Sequence, residues 1–596
     1  MASGPKPFIP LNPATDPVAQ ARALIKKGAR AQAATLLRNV LVRDGRNGAA
    51  RQMLAGLGPE ARRAVSLTPQ DKRAAKAIQA AMEAGQWRQV VSEAQSLLQR
   101  QPHVADAANA LGNALFQLGR PKDALGAFNH AVRVDPVQPD GYLNISALYL
   151  SLEQPDAARQ AAEAALDVAP KMALAHRALG LALIDALRVA EGEAALRDAC
   201  ALDPKDPLAW DALCRALEQS TRLEDLDDTV TEALRHCPGD PLLRLQQAGL
   251  LARRKEFAAT LETLDGLSTA ALPLHSQSIA AQLRGQALDA LQQDGALQAF
   301  AEMNAAQARL HHVTTPLPFL TRLDARAGGL SDFDALDWQT DPAAPGPVFL
   351  VGFPRSGTTL LDSILRGHEG VAVVEEQPLI TPLTDGIPES GEAAALSALT
   401  ESQLAERRAG YLAAFEAQIG APLGDRMAID KMPLNMTEAG TLARHFPNAR
   451  FILALRHPAD CVLSGFMQNF RPNDAMNTFL DLDSAAEAYD KAFTLFEGYR
   501  ARLGLSVVEI RYEHLIRDLR GAVEPVLDHL GLTWRDEMAD YQKTVKARPM
   551  VRTPSYRQVT ETLYTGADGR WKRYETDLQP VLDRLSPWID RWGYAV

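Results

Sequence analysis

Hydrophobic and polar positions follow different patterns in the two halves of this chain. From about residue 16 to residue 312, alanine and leucine recur at three- and four-residue intervals, the spacing of one helix face. Beyond residue 346, apolar residues fall instead into short uninterrupted runs separated by helical stretches, at 348–351, 371–374, 426–430, 450–455 and 506–510. Such runs are typical of strands that are buried on both faces. The pattern therefore predicts a helical first half and an α/β second half.

A strict repeat runs through the helical half. Five prolines stand 34 residues apart, namely Pro102, Pro136, Pro170, Pro204 and Pro238. Small residues between them would let two antiparallel helices approach closely, and each proline would end the second helix. This unit resembles the tetratricopeptide repeat, and a generic helical bundle is the alternative. Stacked repeats form an α-solenoid, so we expect this half to bind a protein or peptide, although its identity is not encoded in the pattern.

Breaks in these patterns divide the chain into four parts. Residues 1–14 are rich in proline and are predicted to be a flexible N-terminus, and residues 15–312 form the predicted solenoid. Proline and glycine interrupt the helical pattern over residues 313–345, which we interpret as a linker. Residues 346–596 are predicted to form an α/β domain with a central parallel sheet, because buried strands alternate there with helices.

Composition excludes several classes of function. The net charge of −10 argues against nucleic-acid binding by bulk electrostatics. The four cysteines lack paired spacing, which favours a reducing compartment and indicates neither a zinc site nor a disulfide scaffold. No apolar run approaches the roughly 20 residues that span a bilayer, and the first residues lack a signal-peptide core. We therefore expect a cytoplasmic protein that needs no metal, nucleic acid or membrane.

The loop after the first predicted strand is a candidate anion site. It runs from Gly352 to Gly357 and leads into a helix, a geometry that points backbone N–H groups and a positive helix end at an anion. Its side-chain donors are Arg355, Ser356, Thr358 and Thr359. Thr358 stands where a nucleotide-triphosphate loop carries lysine, so the loop is P-loop-like without being that motif. The alternative is an ordinary strand-turn-helix connection.

Charged and polar residues also follow the other predicted strands, where ligands of α/β sheets bind. These residues are Glu375 and Glu376, Lys431, Arg456 with Ser464 eight residues on, and Tyr512. Adjacent residues of an extended chain point in opposite directions, so we expect only one of the two glutamates to face a cleft. Glu376 is the candidate that we select.

The loop sequence Arg355-Ser-Gly-Thr-Thr resembles the 5′-phosphosulfate loop of sulfotransferases. These enzymes transfer a sulfuryl group from 3′-phosphoadenosine-5′-phosphosulfate (PAPS). Arg456 and Ser464 resemble the 3′-phosphate site of the same enzymes, and Tyr512 resembles a residue that helps to hold the nucleotide. The resemblance spans about residues 345–580 and implies PAPS as the co-substrate.

Three further matches point to the protein-tyrosine sulfotransferases. The interval from Arg355 to Glu376 is that between the loop arginine and the catalytic glutamate of that family, and Lys431 matches its lysine. The segment with Ser555 and Arg570 resembles the one that closes over the cofactor. The animal enzymes, however, are membrane-anchored and disulfide-bonded, and they carry lysine where this chain has Arg570. Pro433 stands where cytosolic small-molecule sulfotransferases have a catalytic histidine.

The chemistry of in-line sulfuryl transfer suggests a role for each catalytic candidate. Arg355 and the loop N–H groups would neutralise the leaving phosphate, Lys431 would stabilise the bridging oxygen, and Glu376 would act as the base. The predicted nucleotide-binding set is Arg355, Ser356, Gly357, Thr358, Thr359, Arg456, Ser464, Tyr512, Ser555 and Arg570. We expect a protein tyrosine as acceptor, with a glycan or small-molecule hydroxyl as the alternative. Phosphoryl transfer from ATP and an inactive repeat scaffold are the competing functions.

Overall fold

The computed structural model describes residues 16–58, 67–220, 222–335, 346–542 and 568–595. The chain divides into two compact units, Met1–Ser268 and Thr269–Val596. The first unit is helical and the second contains a parallel sheet with helices, which confirms the predicted fold class. No helix in these described ranges is long and apolar enough to cross a membrane.

The described part of the first unit consists of helices joined by short turns. Their bounds are α1 Pro17–Lys26, α2 Arg30–Arg43, α3 Gly48–Ala55, α4 Pro69–Glu83, α5 Trp87–Arg100, α6 Ala105–Gln117, α7 Pro121–Val134, α8 Pro139–Ser151, α9 Pro155–Val168, α10 Ala173–Asp185, α11 Val189–Leu202, α12 Pro207–Gln219, α13 Leu223–His236, α14 Pro241–Arg253 and α15 Phe257–Asp265.

Small residues set the spacing of the paired helices, as the repeat pattern predicts. A Cβ added to Gly112 on α6 would lie 2.3 Å from the Phe128 ring of α7, and one added to Gly180 would lie 2.6 Å from Leu196. In two of the repeats, a large aromatic residue of the first helix is hydrogen-bonded to the preceding proline. The Tyr142 hydroxyl donates to the carbonyl of Pro136 at 3.2 Å, and the Trp210 indole N–H donates to that of Pro204 at 2.9 Å.

The second unit begins with three helices, α16 Leu274–Ala290, α17 Ala296–Leu310 and α18 Pro318–Gly328. Its strands are β1 Val348–Gly352, β2 Val371–Glu375, β3 Met427–Lys431, β4 Arg450–Leu455 and β5 Ser506–Arg511. The remaining α-helices are α19 Thr358–Leu365, α20 Thr381–Thr384, α21 Glu392–Ser397, α22 Glu401–Ile419, α23 Ala439–His445, α24 Pro458–Phe466, α25 Leu482–Leu503, α26 Tyr512–Leu515, α27 Leu519–Leu530 and α28 Glu575–Arg591. Short 3₁₀ helices cover Thr269–Ala271, Leu330–Ala335, Pro433–Glu438, Met476–Leu480, Asp536–Asp540 and Arg570–Tyr574.

All pairings in the sheet are parallel, and the strand order is β2-β3-β1-β4-β5. β2 and β3 lie on one side of β1 in the sheet, and β4 and β5 lie on the other side. The carboxyl end of β1 therefore adjoins the point where the strand order reverses, which is where open α/β sheets bind ligands. Every residue of β1 is buried, since apolar clusters cover both faces of the sheet.

The division of the structure differs from the predicted boundary at residues 312 and 313. Helices α16, α17 and α18 fall in the second unit, and Phe300, Met303 and Phe319 are buried in the same apolar cluster as Phe349 of β1. The predicted linker 313–345 likewise contains α18, while residues 336–345 lie outside the described ranges. Helical periodicity identifies an apolar face but does not identify what that face packs against, which explains the difference.

Candidate active site

The loop after β1 has the shape expected of an anion cradle. Gly357 has a φ of +96°, and a Cβ added there would lie 2.6 Å from the ring of Tyr512. Arg355 adopts a φ of +77°, an uncommon conformation for a residue that carries a side chain. Ser356, Thr358 and Thr359 are buried, and α19 begins at Thr358. The loop is therefore tightly enclosed and requires glycine at position 357.

The structure brings the predicted 3′-phosphate residues next to this loop. The Arg355 Nε donates to the Ser464 hydroxyl at 3.1 Å, and the Arg456 Nη1 donates to the Arg355 carbonyl at 3.2 Å. The Arg456 guanidinium also lies 5.1 Å from the centre of the Tyr512 ring. Four of the predicted residues, carried by different elements, thus form one continuous cluster beside β1 and β4.

Electrostatics make this cluster attractive to an anion. Burial, followed by repulsion from Arg456, lowers the pKa of Arg355 to about 10. The Ser356 Oγ is buried and has no hydrogen-bond partner among the residues that the structure describes. An anion beside the loop would relieve the repulsion between the two guanidinium groups, and Ser356 offers it a further donor. The cradle therefore suits a phosphate or sulfate group.

Lys431, the last residue of β3, lies on the other side of the loop. Its ammonium is fully buried, 2.8 Å from the Glu375 carboxylate, 2.7 Å from that of Glu376 and 3.4 Å from the Thr359 hydroxyl. Burial by itself lowers the pKa of Lys431, but the carboxylates of Glu376 and Glu375 outweigh burial, so the pKa is raised. Lys431 is therefore a stable cation at neutral pH, and Thr359 links it directly to the anion loop.

The expectation that Glu375 and Glu376 point in opposite directions is wrong, since both carboxylates contact Lys431. Glu376 has a φ of +47°, so the chain leaves the extended conformation immediately after Glu375. The Glu376 N–H still donates to the Lys431 carbonyl at 2.8 Å, which holds this turn against the end of β3. The alternation of side chains ends at the turn, and both carboxylates therefore reach Lys431.

The C-terminal candidates do not join this cluster in the described residues. The guanidinium of Arg570 pairs with Asp289 of α16, and Ser555 lies outside the described ranges. The backbone beside Arg570 is nevertheless tied to α24, because the N–H groups of Gly569 and Trp571 each donate to the Asp460 carboxylate at 2.9 Å. A nucleotide-binding role for Arg570 and Ser555 remains a prediction.

Sequence reasoning set Glu375 aside in favour of Glu376 and gave no role to Asp289 or Asp460. The sequence does carry a signal for Asp460, because an acidic residue in the first turn of a helix is well placed to accept backbone hydrogen bonds. Asp289 has none, because the helix that carries it resembles the repeats in its periodicity. The described residues contain no group of three or more histidine, cysteine, aspartate or glutamate side chains that could hold a metal ion.

Comparison with known proteins agrees with this architecture. Residues 347–536 match the model of the sulfotransferase family, and residues 76–139 and 144–207 match a tetratricopeptide repeat model. The chain therefore carries tetratricopeptide repeats followed by a sulfotransferase-family domain, and both resemblances stated from the motifs are confirmed.

Individual relatives match only part of the chain. An uncharacterized protein of Aquifex aeolicus is 28% identical over 248 residues, which cover 40% of this chain and 32% of that protein's length. Protein-tyrosine sulfotransferase 2 of Gallus gallus is 24% identical over 260 residues, or 41% of this chain and 69% of that protein. A solved tetratricopeptide repeat protein from Parabacteroides merdae covers 46% of this chain and 97% of its own, at 12% identity and a TM-score of 0.30. Part of this chain is thus distantly similar to protein-tyrosine sulfotransferases.

Proposed function

We propose that this protein is a PAPS-dependent sulfotransferase that transfers a sulfuryl group to an acceptor hydroxyl. One observation carries the proposal. The Lys431 ammonium, held by Glu376, lies 3.4 Å from Thr359 at the start of the helix that the anion loop opens, and Arg355 of that loop donates to Ser464 at 3.1 Å. Lys431 with its carboxylate thus lies on one side of the loop, and Arg355 and Arg456 lie on the other. A donor with an anionic group at each of its two ends requires positive charge on both sides.

The residues fit a sulfated nucleotide as donor. The Ser356 hydroxyl, which has no hydrogen-bond partner within the described ranges, and the enclosed loop at Gly357 suit its 5′ end. Arg456, Ser464 and Tyr512 suit its 3′-phosphate. Tyr512 is already in contact with the Arg456 guanidinium, so a bound phosphate would find both groups in place. Within the proposal, Arg570 and Ser555 complete this nucleotide site.

The transfer step follows from the position of Lys431 and Glu376. The acceptor oxygen forms a bond to sulfur, while the bond between sulfur and the bridging phosphate oxygen breaks. Lys431 and Arg355 stabilise the negative charge that appears on the leaving phosphate, and Glu376 accepts the proton of the acceptor hydroxyl. The side chain of Glu376 is 36% exposed whereas Lys431 is fully buried, so the carboxylate is the group that an acceptor can reach.

A protein tyrosine is the acceptor that we favour, and the repeat array would recruit the acceptor protein or a partner. Support comes from the homology to protein-tyrosine sulfotransferases and from the repeats, which typically bind peptides. The four cysteines are free thiols, which supports a reducing compartment and hence the cytoplasm. A glycan or small-molecule hydroxyl is the alternative acceptor.

Transfer of labelled sulfate from PAPS to proteins of a cell lysate tests the proposal. We expect Glu376→Gln to lower kcat at least about a hundredfold, the usual contribution of a positioned base, with little change in binding of adenosine 3′,5′-bisphosphate. Glu369→Gln is the matched control, because it removes the same charge from a side chain that is 82% exposed.

Nucleotide binding separates the competing functions. Adenosine 3′,5′-bisphosphate should raise the melting temperature, since a ligand that binds only the native state stabilises it. Stabilisation by ATP-Mg alone would indicate phosphoryl transfer instead, and no stabilisation by either nucleotide would indicate an inactive scaffold. Unchanged turnover in Glu376→Gln would remove that residue as the base.

A further inference from the structure

Glu375 has a fixed place in the sheet beside Lys431. It is the last residue of β2 and pairs in register with Lys431, the last residue of β3. Residues that pair in register point to the same face of a sheet, so the two side chains are aligned by the strands that carry them. The backbone pairing thus places the two side chains next to each other, and the Glu375 carboxylate lies 2.8 Å from the Lys431 ammonium.

The two carboxylates on this ammonium differ in their surroundings. The Glu375 side chain is 13% exposed, whereas that of Glu376 is 36% exposed and follows the left-handed turn at the strand end. Glu375 is thus enclosed by the sheet edge, and Glu376 lies towards solvent. A molecule that enters the cleft meets Glu376 first.

The charge balance of the cluster indicates why two carboxylates are needed. The charged groups around Lys431 are Glu375 and Glu376 from β2 and its end, and Asp362 from α19, whose carboxylate also pairs with Arg366 at 2.5 Å. When Glu376 takes up a proton it becomes neutral and no longer balances the ammonium. A buried ammonium without a counter-charge is strongly disfavoured, so a second carboxylate must remain ionised during the transfer step.

We propose that Glu375 is a positioning residue that keeps the Lys431 ammonium charged and in place while Glu376 changes its protonation state. The inference rests on the proposed sulfuryl transfer and adds a division of labour between the neighbouring glutamates. Glu375 acts through Lys431 and does not touch the donor or the acceptor. Lys431 therefore stays directed at the leaving oxygen throughout the reaction.

The variants Glu375→Gln and Glu375→Asp test this role by steady-state kinetics with PAPS. Loss of one charge-assisted hydrogen bond to Lys431 should lower kcat of Glu375→Gln about ten- to a hundredfold, with the KM for PAPS changed less than about threefold. The alkaline limb of the kcat profile should move to lower pH, because one of the two charges that keep Lys431 protonated is lost. Glu375→Asp retains the charge at shorter reach and should recover part of both effects.

Glu369→Gln, which removes a charge from the same part of the chain without contact to Lys431, should match the wild type in kcat and in its alkaline limb. Melting curves and binding of adenosine 3′,5′-bisphosphate show whether each variant is folded, and a Glu375→Gln chain that fails to fold leaves Glu375→Asp as the test. A folded Glu375→Gln with wild-type kcat and alkaline limb would overturn the inference while leaving the proposed function intact. A wild-type chain that transfers no sulfuryl group from PAPS would overturn both.

Discussion

Replacing Asp430 with asparagine should make the second unit more stable at neutral pH than it is in the wild type. Asp430 precedes Lys431 on β3 and points to the opposite face of the sheet, where it is fully buried. One carboxyl oxygen lies 3.3 Å from the Tyr411 hydroxyl, which donates to it. The other oxygen has no hydrogen-bond partner in the described part of the chain.

The size of the effect follows from the pKa of this carboxyl group. Burial raises the pKa of Asp430 from 3.8 to about 7, and the hydrogen bond from Tyr411 offsets only part of that rise. Between these two values the folded chain keeps a proton that the unfolded chain has released, so the free energy of unfolding falls as pH rises. At about 1.4 kcal/mol for each of roughly three pH units, the loss reaches about 4 kcal/mol and stays constant above pH 7.

Urea unfolding of the full chain between pH 4.5 and pH 8.5 measures this loss, with the tryptophans of the second unit at 338, 534, 571, 588 and 592 as the fluorescent probe. The side chain that Asp430→Asn introduces carries no charge, so the stability of the variant relative to the wild type should rise from pH 4.5 to pH 7 and then level off. Asp425→Asn is the control, since Asp425 is exposed five residues earlier in the chain. Burying the amide N–H groups of the new asparagine side chain could also cost stability, but that cost would be the same at every pH.

The test is therefore how the difference in the free energy of unfolding between Asp430→Asn and the wild type changes with pH, whatever the absolute stability of the variant. A constant difference between wild type and Asp430→Asn from pH 4.5 to pH 8.5 would refute the reasoning, because it would mean that Asp430 ionises alike in the folded and unfolded chains.

Two further predictions concern the loop and the C-terminal segment. Gly357→Ala should weaken binding of adenosine 3′,5′-bisphosphate at least about tenfold, since its Cβ would lie 2.6 Å from Tyr512, whereas Gly386→Ala, with a φ of +70° but open space around it, should cost about 1 kcal/mol of stability and leave affinity unchanged. Equal affinities of Gly357→Ala and Gly386→Ala for adenosine 3′,5′-bisphosphate would contradict the need for glycine at position 357. Asp289→Ala should speed hydrogen exchange of residues 569–574 about tenfold, because Asp289 accepts hydrogen bonds from Arg570, Arg573 and Tyr574. Asp294→Ala changes an exposed residue and should leave this exchange unchanged. Similar exchange rates in the two variants would rule out that Asp289 holds residues 569–574 in place.

Much of the fold could be predicted because its signals are local. The prolines from Pro102 to Pro238 mark the repeat, and the apolar runs mark all five strands of the described sheet to within a residue at each end. The loop from Gly352 to Gly357 could be recognised because the glycine spacing and the following helix together define its geometry.

The division between the units could not be predicted in the same way. Helices α16 and α17 have the same periodicity as the repeats, yet Phe300 and Met303 pack with the sheet domain. The choice depends on the shape and apolar area that the rest of the chain offers, which no local pattern contains.

The sequence by itself determined the two kinds of architecture, the anion loop and the set of charged residues at the strand ends. Only the tertiary structure decided how those charges are combined. It places Arg456 and Ser464 beside Arg355. It also brings both Glu375 and Glu376 into contact with Lys431. Arg570 pairs with Asp289. The physical reason is that periodicity fixes the direction of a side chain relative to its own element, whereas a charge finds its partner only when distant elements pack and the backbone turns, as it does at Glu376.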